Sequence, residues 1–244
     1  MTGITRRQNG RIIELVIDNP EHGNAVTDPM AAELAQHLAE AADHAELAVL
    51  RGAGKDFCAG RMSMGKKVAE LPEALVRRRN TEVIFRCYDA FRDCPIPVVG
   101  VVSGRAHGFG CAIAALCDVT IAADDATFSV PEMAHNILPT MVLSALVDRL
   151  SRKELAYLVY STREISAARA QDYGLVSEVV PAADLDAALD DLTKAMLAAP
   201  RPALLGVKEY LRSAPHMGTR GAVDFAQNLH ATVNSSSEMK RLKH

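Results

Sequence analysis

Short, wholly apolar runs that empty into glycine-bearing loops constrain this chain most. Leu47-Ala48-Val49-Leu50 leads into Gly52-Ala53-Gly54-Lys55, and Val98-Val99-Gly100-Val101-Val102 is closed by Ser103-Gly104. Val119-Thr120-Ile121-Ala122 is a third such run. A strand without a polar face must be covered on both sides, which is the pattern of parallel sheets flanked by helices. Helical periodicity fills the intervals. One helix is expected from about Pro29 to Ala42, with Asp28 as its N-cap, Pro29 at its first position and Ala31, Leu34, Leu38 and Ala41 on one face. A longer one is expected over residues 71–92, stopped by Pro95 and Pro97, and a small Ala-rich one from Phe109 to Leu116. Arg11–Ile17 reads as a strand ending at Asp18-Asn19-Pro20. Strand, crossover helix, strand in this order predicts an α/β core.

From Met141 onward the pattern is helical except for a strand-like piece, Leu175–Val180, closed by Pro181. Helical stretches follow over residues 184–199, 203–212 and 221–242. Helices with an apolar face and no partner left in the chain predict packing between subunits.

The chain has 244 residues, 49% hydrophobic and 23% charged, with a formal net charge of −3. That supports one sizeable core and excludes a nucleic-acid binder built on bulk positive charge. The N-terminus, MTGITRRQNGR, is polar and basic, and no apolar run is long enough for a signal peptide or a membrane span. A cytoplasmic protein is expected, with no membrane partner. The five cysteines, Cys58, Cys87, Cys94, Cys111 and Cys117, are odd in number and lack a CxxC pair. That fits reduced thiols, with Cys87, Cys94 and Cys117 read as small buried apolar residues. No His/Cys/Asp/Glu cluster has metal-ligand spacing, so no metal is predicted.

Chemistry is sought in two loops, Gly52–Arg61 and Ser103–Cys111. Gly54-Lys55 is not a phosphate loop, because Val49 stands where the first glycine belongs and Asp56 where Ser or Thr belongs. Neither loop carries a GxGxxG fingerprint. Either glycine cluster alone reads equally as an ordinary turn. The second loop adds a feature, since Gly108-Phe109-Gly110 opens a helix. The first amides of a helix have no internal partner and carry the positive end of its dipole. Such a site favours an oxygen that becomes negative during reaction.

Taken together the loops resemble those of the crotonase (enoyl-CoA hydratase/isomerase) superfamily. The family's ordered pieces are an "NAL"-like turn, a "GxGxxFcAGxD" loop, a "GxaxGgG" helix start followed by a cysteine and an acid, a "PE" segment and a later "A…GLV". Here they correspond to Asn24-Ala25-Val26, Gly52–Arg61, Gly104–Cys111, Pro131-Glu132 and Ala170 with Gly174-Leu175-Val176. The resemblance runs in order from about residue 10 to residue 181. It implies a crotonase/ClpP-like spiral of ββα units over residues 1–181. It also implies a C-terminal helical region, residues 182–244, serving trimerisation and pocket closure, and hence a homotrimer or homohexamer.

The resemblance also implies the site. A thioester enolate would be held by two backbone N–H groups, those of Arg61 and Phe109. Phe109 replaces the usual glycine and is expected to narrow the acyl pocket. Glu132 matches the "PE" glutamate. Ala112 occupies the position of the other hydratase glutamate, and Thr140 that of an aspartate used in diene isomerisation or as a nucleophile. His135, three residues beyond Glu132, is a candidate replacement acid, read alternatively as an exposed or structural histidine. His107 is read as shaping its turn and His22 as loop. The expected coenzyme A contacts are Ala25, Ala59, Arg61, Gly108 and Gly110. No cofactor beyond the coenzyme A moiety of the substrate is implied. Arg77-Arg78-Arg79, with Lys55, Lys66 and Lys67, reads either as a solvated face or as phosphate contacts, and so does the basic end, Lys240–His244. Met62–Arg79 is where substrate choice is expected.

The implied activity is double-bond isomerisation or hydration of an unsaturated acyl-CoA, with Glu132 as acid/base. One alternative is thioester or C–C hydrolysis on the same scaffold. Another is a non-catalytic coenzyme A- or RNA-binding relative, with nucleic acid disfavoured by the acidic net charge.

Overall fold

The computed structural model of the chain describes residues 2–62 and 73–240. It opens with a hairpin of β1 (Gly3–Asn9) and β2 (Ile12–Asp18), turning on Gly10 at φ 55°. Glycine is at ease there, which suits a two-residue hairpin turn. Helix α1 (Asp28–His44) crosses to β3 (Leu47–Gly52), and α2 (Ala74–Asp93) crosses to β4 (Val98–Val102). The short β5 (Arg105–His107) leads into α3 (Phe109–Leu116), β6 (Val119–Ala123) and β7 (Thr127–Ser129). Then come α4 (Thr140–Leu146), α5 (Arg152–Ser161), β8 (Ile165–Ser166), α6 (Ala167–Asp172) and β9 (Glu178–Val180). The chain closes with α7 (Leu185–Leu197), α8 (Arg201–Ser213), α9 (Thr219–Asn234) and α10 (Ser237–Lys240).

The main sheet runs β1-β2-β3-β4-β6-β9, parallel from β2 onward. Strand β4 is buried at every residue, as an all-apolar run requires. Its neighbours are β3 and β6, and α3 is buried along its whole length. A second sheet, β5-β7-β8, is small and stands beside the glycine loops.

Several boundaries differ from the sequence expectation for physical reasons. The first predicted strand runs Ile12–Asp18 instead of 11–17, and β1 pairs ahead of it. Of β1 only Ile4 is buried, so its sequence shows mostly the wet face. The cap of α1 is Thr27, not Asp28: the Thr27 hydroxyl accepts from the Met30 amide at 3.4 Å, while the Asp28 carboxylate is engaged by Arg61. The expected apolar face of α1 is buried, joined by Met30. Each Leu on it is worth about 1.5–3 kcal/mol relative to exposure. Leu175 and Val176 are not in a strand. Gly174 (φ 79°) turns the chain at the end of α6, and the Leu175 and Val176 amides bond back to the Ala170 carbonyl. The last long helix stops at Asn234, where the run Ser235-Ser236-Ser237 offers side-chain alternatives to helical bonding.

The C-terminal helices are tied to the core by cations. Arg201 donates to the Ala42 and Ala45 carbonyls at 2.6 and 3.2 Å, the negative end of α1. Lys208 reaches Asp118 at 2.6 Å. Among the described residues no helix is long and apolar enough to cross a membrane.

Candidate active site

The two glycine loops are locked side by side by backbone bonds. Phe57 N–H donates to Ser103 O, Cys58 N–H to Arg105 O, and His107 N–H to Cys58 O, at 2.8–3.0 Å. Side chains reinforce the register. Arg105 clasps Asp56 through Nε (3.0 Å) and Nη2 (2.7 Å), and this pairing holds the Asp56 carboxyl below the usual carboxylate range. Asn24, fully buried, donates to the Ala53 and Asp56 carbonyls at 2.8 and 2.5 Å and accepts from Asn19 N–H. The turn at Asn24-Ala25-Val26 is thereby stapled to the first loop. A Cβ on Gly110 would lie 2.0 Å from Cys58 O, so α3 abuts that loop as only glycine permits.

These contacts bring Arg61 and Phe109 to one cavity. Val26 bridges to the segment around Arg61 by donating to Gly60 O and accepting from Met62 N–H. The intervening Arg61 N–H takes no part in this pairing. Phe109 is the first residue of α3, so its N–H has no partner within the helix. Among the described residues neither amide donates to a protein acceptor. The Arg61 side chain is turned away, with Nε and Nη2 on Asp28 Oδ1 at 2.9 and 2.7 Å.

Arg61 and Phe109 both line a cavity of about 340 Å³, within the range of small-molecule sites. Ala59, Gly60 and Arg61 form one side, Gly108 and Phe109 another, and Ile84 and Tyr88 of α2 a third. Glu132 and His135, from a 3-10 turn over Glu132–His135, close it together with Ile137, Leu138, Pro139, Met141 and Val142. The lining is mainly apolar. Burial raises the Glu132 carboxyl above its usual value, opposed by its own backbone N–H and by His135. Among the described residues Glu132 Oε2 is buried with no hydrogen-bond partner.

The structure thus brings Ala59, Arg61, Gly108, Phe109, Glu132 and His135 onto one cavity. It does not place Ala25 or Gly110 on that wall: Ala25 lies in the stapled turn, and Gly110 is packed behind it under Cys58. His135 is exposed at the rim. Ala112 is fully buried in α3 and offers no polar side-chain atom. His107 sits on β5 with Nε2 3.1 Å from Thr127 Oγ1, its protonation disfavoured by burial. Arg77, Arg78 and Arg79 are exposed on α2. Lys66 and Lys67, most of the Met62–Arg79 segment up to residue 72, and residues 241–244 of the basic end lie outside the described residues. All five cysteines are buried and unbridged; burial pushes the Cys58, Cys87 and Cys111 thiols up to about 12, so they are inert at neutral pH.

Sequence reasoning missed Ile84, Tyr88, Met141 and Val142. They belong to helical stripes, and a stripe that lines a cavity has the same spacing as one that enters a core.

The comparisons agree with this architecture. A candidate enoyl-CoA hydratase from Thermobifida fusca, solved in complex with CoA, superposes with a TM-score of 0.84 at 27% identity over 96% of this chain and 93% of its own. The fold is therefore the crotonase fold. The sequence model of enoyl-CoA hydratase/isomerase matches residues 7–243, and the chain belongs to that family. The enoyl-CoA hydratase domain-containing protein 3 of rat, a mitochondrial protein, is 29% identical over 86% of this chain and 70% of its own length. The 2,3-dehydroadipyl-CoA hydratase of Escherichia coli is 30% identical over 90% of this chain and 85% of its own.

Proposed function

We propose that this chain hydrates the 2,3 double bond of an unsaturated acyl-CoA through a thioester enolate. The observation that carries the reading is the meeting of two unpaired amides, Arg61 N–H and Phe109 N–H, with a half-buried Glu132 in one apolar cavity. The two amides donate hydrogen bonds to the thioester oxygen, and these bonds strengthen as it becomes an enolate. Preorganised donors of this kind are each worth about 2.7–4 kcal/mol in the barrier. Glu132 moves the proton, a service of about 10²–10⁴-fold. Its raised pKa suits it both to take a proton and to return it. The CoA complex of the Thermobifida fusca protein and the hydratase name of the Escherichia coli relative support an acyl-CoA ligand and hydration.

Ala112 favours a second reading, double-bond migration. One carboxylate can take a proton from C2 and return it at C4 while the amides hold the dienolate. Hydration needs a group besides Glu132 to place water, and His135 at the rim is within the same cavity. No cofactor beyond coenzyme A enters either scheme. The exposed Val207 and Leu211 of α8 and Val223 of α9 fit a subunit contact in a trimer or hexamer.

The test is incubation with 2-enoyl- and 3-enoyl-CoA esters in heavy-oxygen water, read by mass spectrometry. One labelled water gained means hydration; an unchanged mass with a shifted double bond means isomerisation. Glu132→Gln should abolish either and leave CoA-ester binding largely intact, and undiminished turnover in that variant removes Glu132 from the mechanism.

A further inference from the structure

We infer that Tyr88 is a functional side chain of this site, its phenol holding the water that is added at C3. The inference rests on the hydration reading and supplies the polar group that Ala112 does not. Tyr88 stands on α2 in the stripe with Ile84, Cys87 and Phe91, and it is only 1% exposed. It lines the same cavity as Glu132 and Phe109. Its ring is stacked on Phe109, centroids 5.5 Å apart and planes 28° from parallel. The residue that offers the amide therefore also fixes the tyrosine in place.

A ring wanted only for packing needs no hydroxyl, and phenylalanine would stack as well. Among the described residues the buried polar atoms left without a partner are His37 Nδ1 and Glu132 Oε2, and the Tyr88 hydroxyl is not one of them. Its place on the cavity lining with Glu132 is what gives it access to bound water. The phenol keeps its proton: burial raises its pKa, and the nearby Glu132 charge raises it further. It therefore orients and does not ionise. His135 is a poorer holder of one water, because it is exposed.

The step balances as follows. The water oxygen bonds to C3, and the C2=C3 π pair moves into the thioester as an enolate held by the Arg61 and Phe109 amides. One water proton passes to the Glu132 carboxylate, and the other stays on oxygen, hydrogen-bonded to Tyr88. The enolate then takes the Glu132 proton at C2. One water has been added, and both side chains end as they began.

Tyr88→Phe tests this because it keeps the stacked ring. Two reactions are measured: hydration of crotonyl-CoA with labelled water, and deuterium exchange at C2 of butyryl-CoA, which needs the amides and Glu132 but no added water. Tyr88→Phe is expected to lower kcat for hydration about 10- to 100-fold, with KM and C2 exchange within about 3-fold of wild type. Hydration at the wild-type rate would overturn the assignment. So would a parallel loss of hydration and exchange, which would make Tyr88 a packing residue, or a selective loss of hydration in His135→Ala but not in Tyr88→Phe. Glu132→Gln is run beside them: if it keeps both reactions, the underlying reading fails, whereas loss of both with an unimpaired Tyr88→Phe removes Tyr88 alone.

Discussion

Gly108 and Glu132 are built against each other: a Cβ added to the glycine would lie 2.7 Å from the carboxylate Oε1. Gly108 also holds φ 52° and ψ −114°, a conformation that side chains oppose. Gly108→Ala therefore strains the start of α3 and displaces the proton carrier together. A misplacement of about 1 Å at the reacting groups costs on the order of 10²-fold. We expect kcat/KM to fall at least that far in steady-state assays, with the far-ultraviolet circular dichroism of the fold retained.

The pH dependence of Glu132 has a definite sign. Burial raises its pKa, so the base form is lost at a higher pH than for an ordinary carboxylate near 4.5. The acid limb of kcat/KM should sit above that value and disappear in no variant that keeps Glu132. For stability, a raised carboxyl favours folding below its unfolded pKa, and that contribution is lost as pH rises through the folded pKa. Glu132→Gln removes the buried charge. Its melting temperature should exceed that of wild type at pH 8, by the equivalent of about 1 kcal/mol, and the gap should close near pH 4.

Much of this was readable from residues in order. The run Val98–Val102 had to be a buried strand, and Phe109–Leu116 had to be a short buried helix, and both occur with those limits. Glycine spacing placed the two loops next to strand ends. The sequence could not show that the loops run alongside each other, because the bonds that join them, Cys58 with Arg105 and His107, are backbone bonds that leave no trace in side-chain identity. Asn24 was legible as part of a turn but not as its staple, since its partners are carbonyls about thirty residues away. Tyr88 was hidden for another reason. Its helical spacing says only that the face is covered, not whether by protein or by ligand.

The Arg105–Asp56 clasp predicts an acid limit to loop register. Asp56 is depressed chiefly by the hydrogen bonds from the Arg105 side chain, so its contribution to folding is present above the unfolded pKa, about 3.9. It is lost as pH falls through the lower folded value. Wild type should lose melting temperature as pH drops below about 4. Asp56→Asn, which keeps the shape without the charge, should be less stable at neutral pH and should show a shallower acid slope, measured by calorimetry from pH 7 to pH 2.5.

Lys208 is the test of how the C-terminal helices are held. Its ammonium is buried, with a side chain 6% exposed, and donates to both Asp118 oxygens at 2.8 and 2.6 Å and to Phe91 O at 3.2 Å. Asp118 in turn accepts from Val98 N–H at 2.7 Å, so α8 is linked through one carboxylate to the central strand β4. Lys208→Met strands that carboxylate, and removing one partner of a buried pair costs about 3–5 kcal/mol. For a chain of this length that is a fall of roughly 6–20 °C in melting temperature, at about 2–4 °C per kcal/mol. Lys208→Met combined with Asp118→Leu should recover only part of the loss, because the Val98 amide then has no acceptor. Full recovery in the double variant would show that the carboxylate serves Lys208 alone, and no loss in the single variant would show that α8 is held by its apolar contacts.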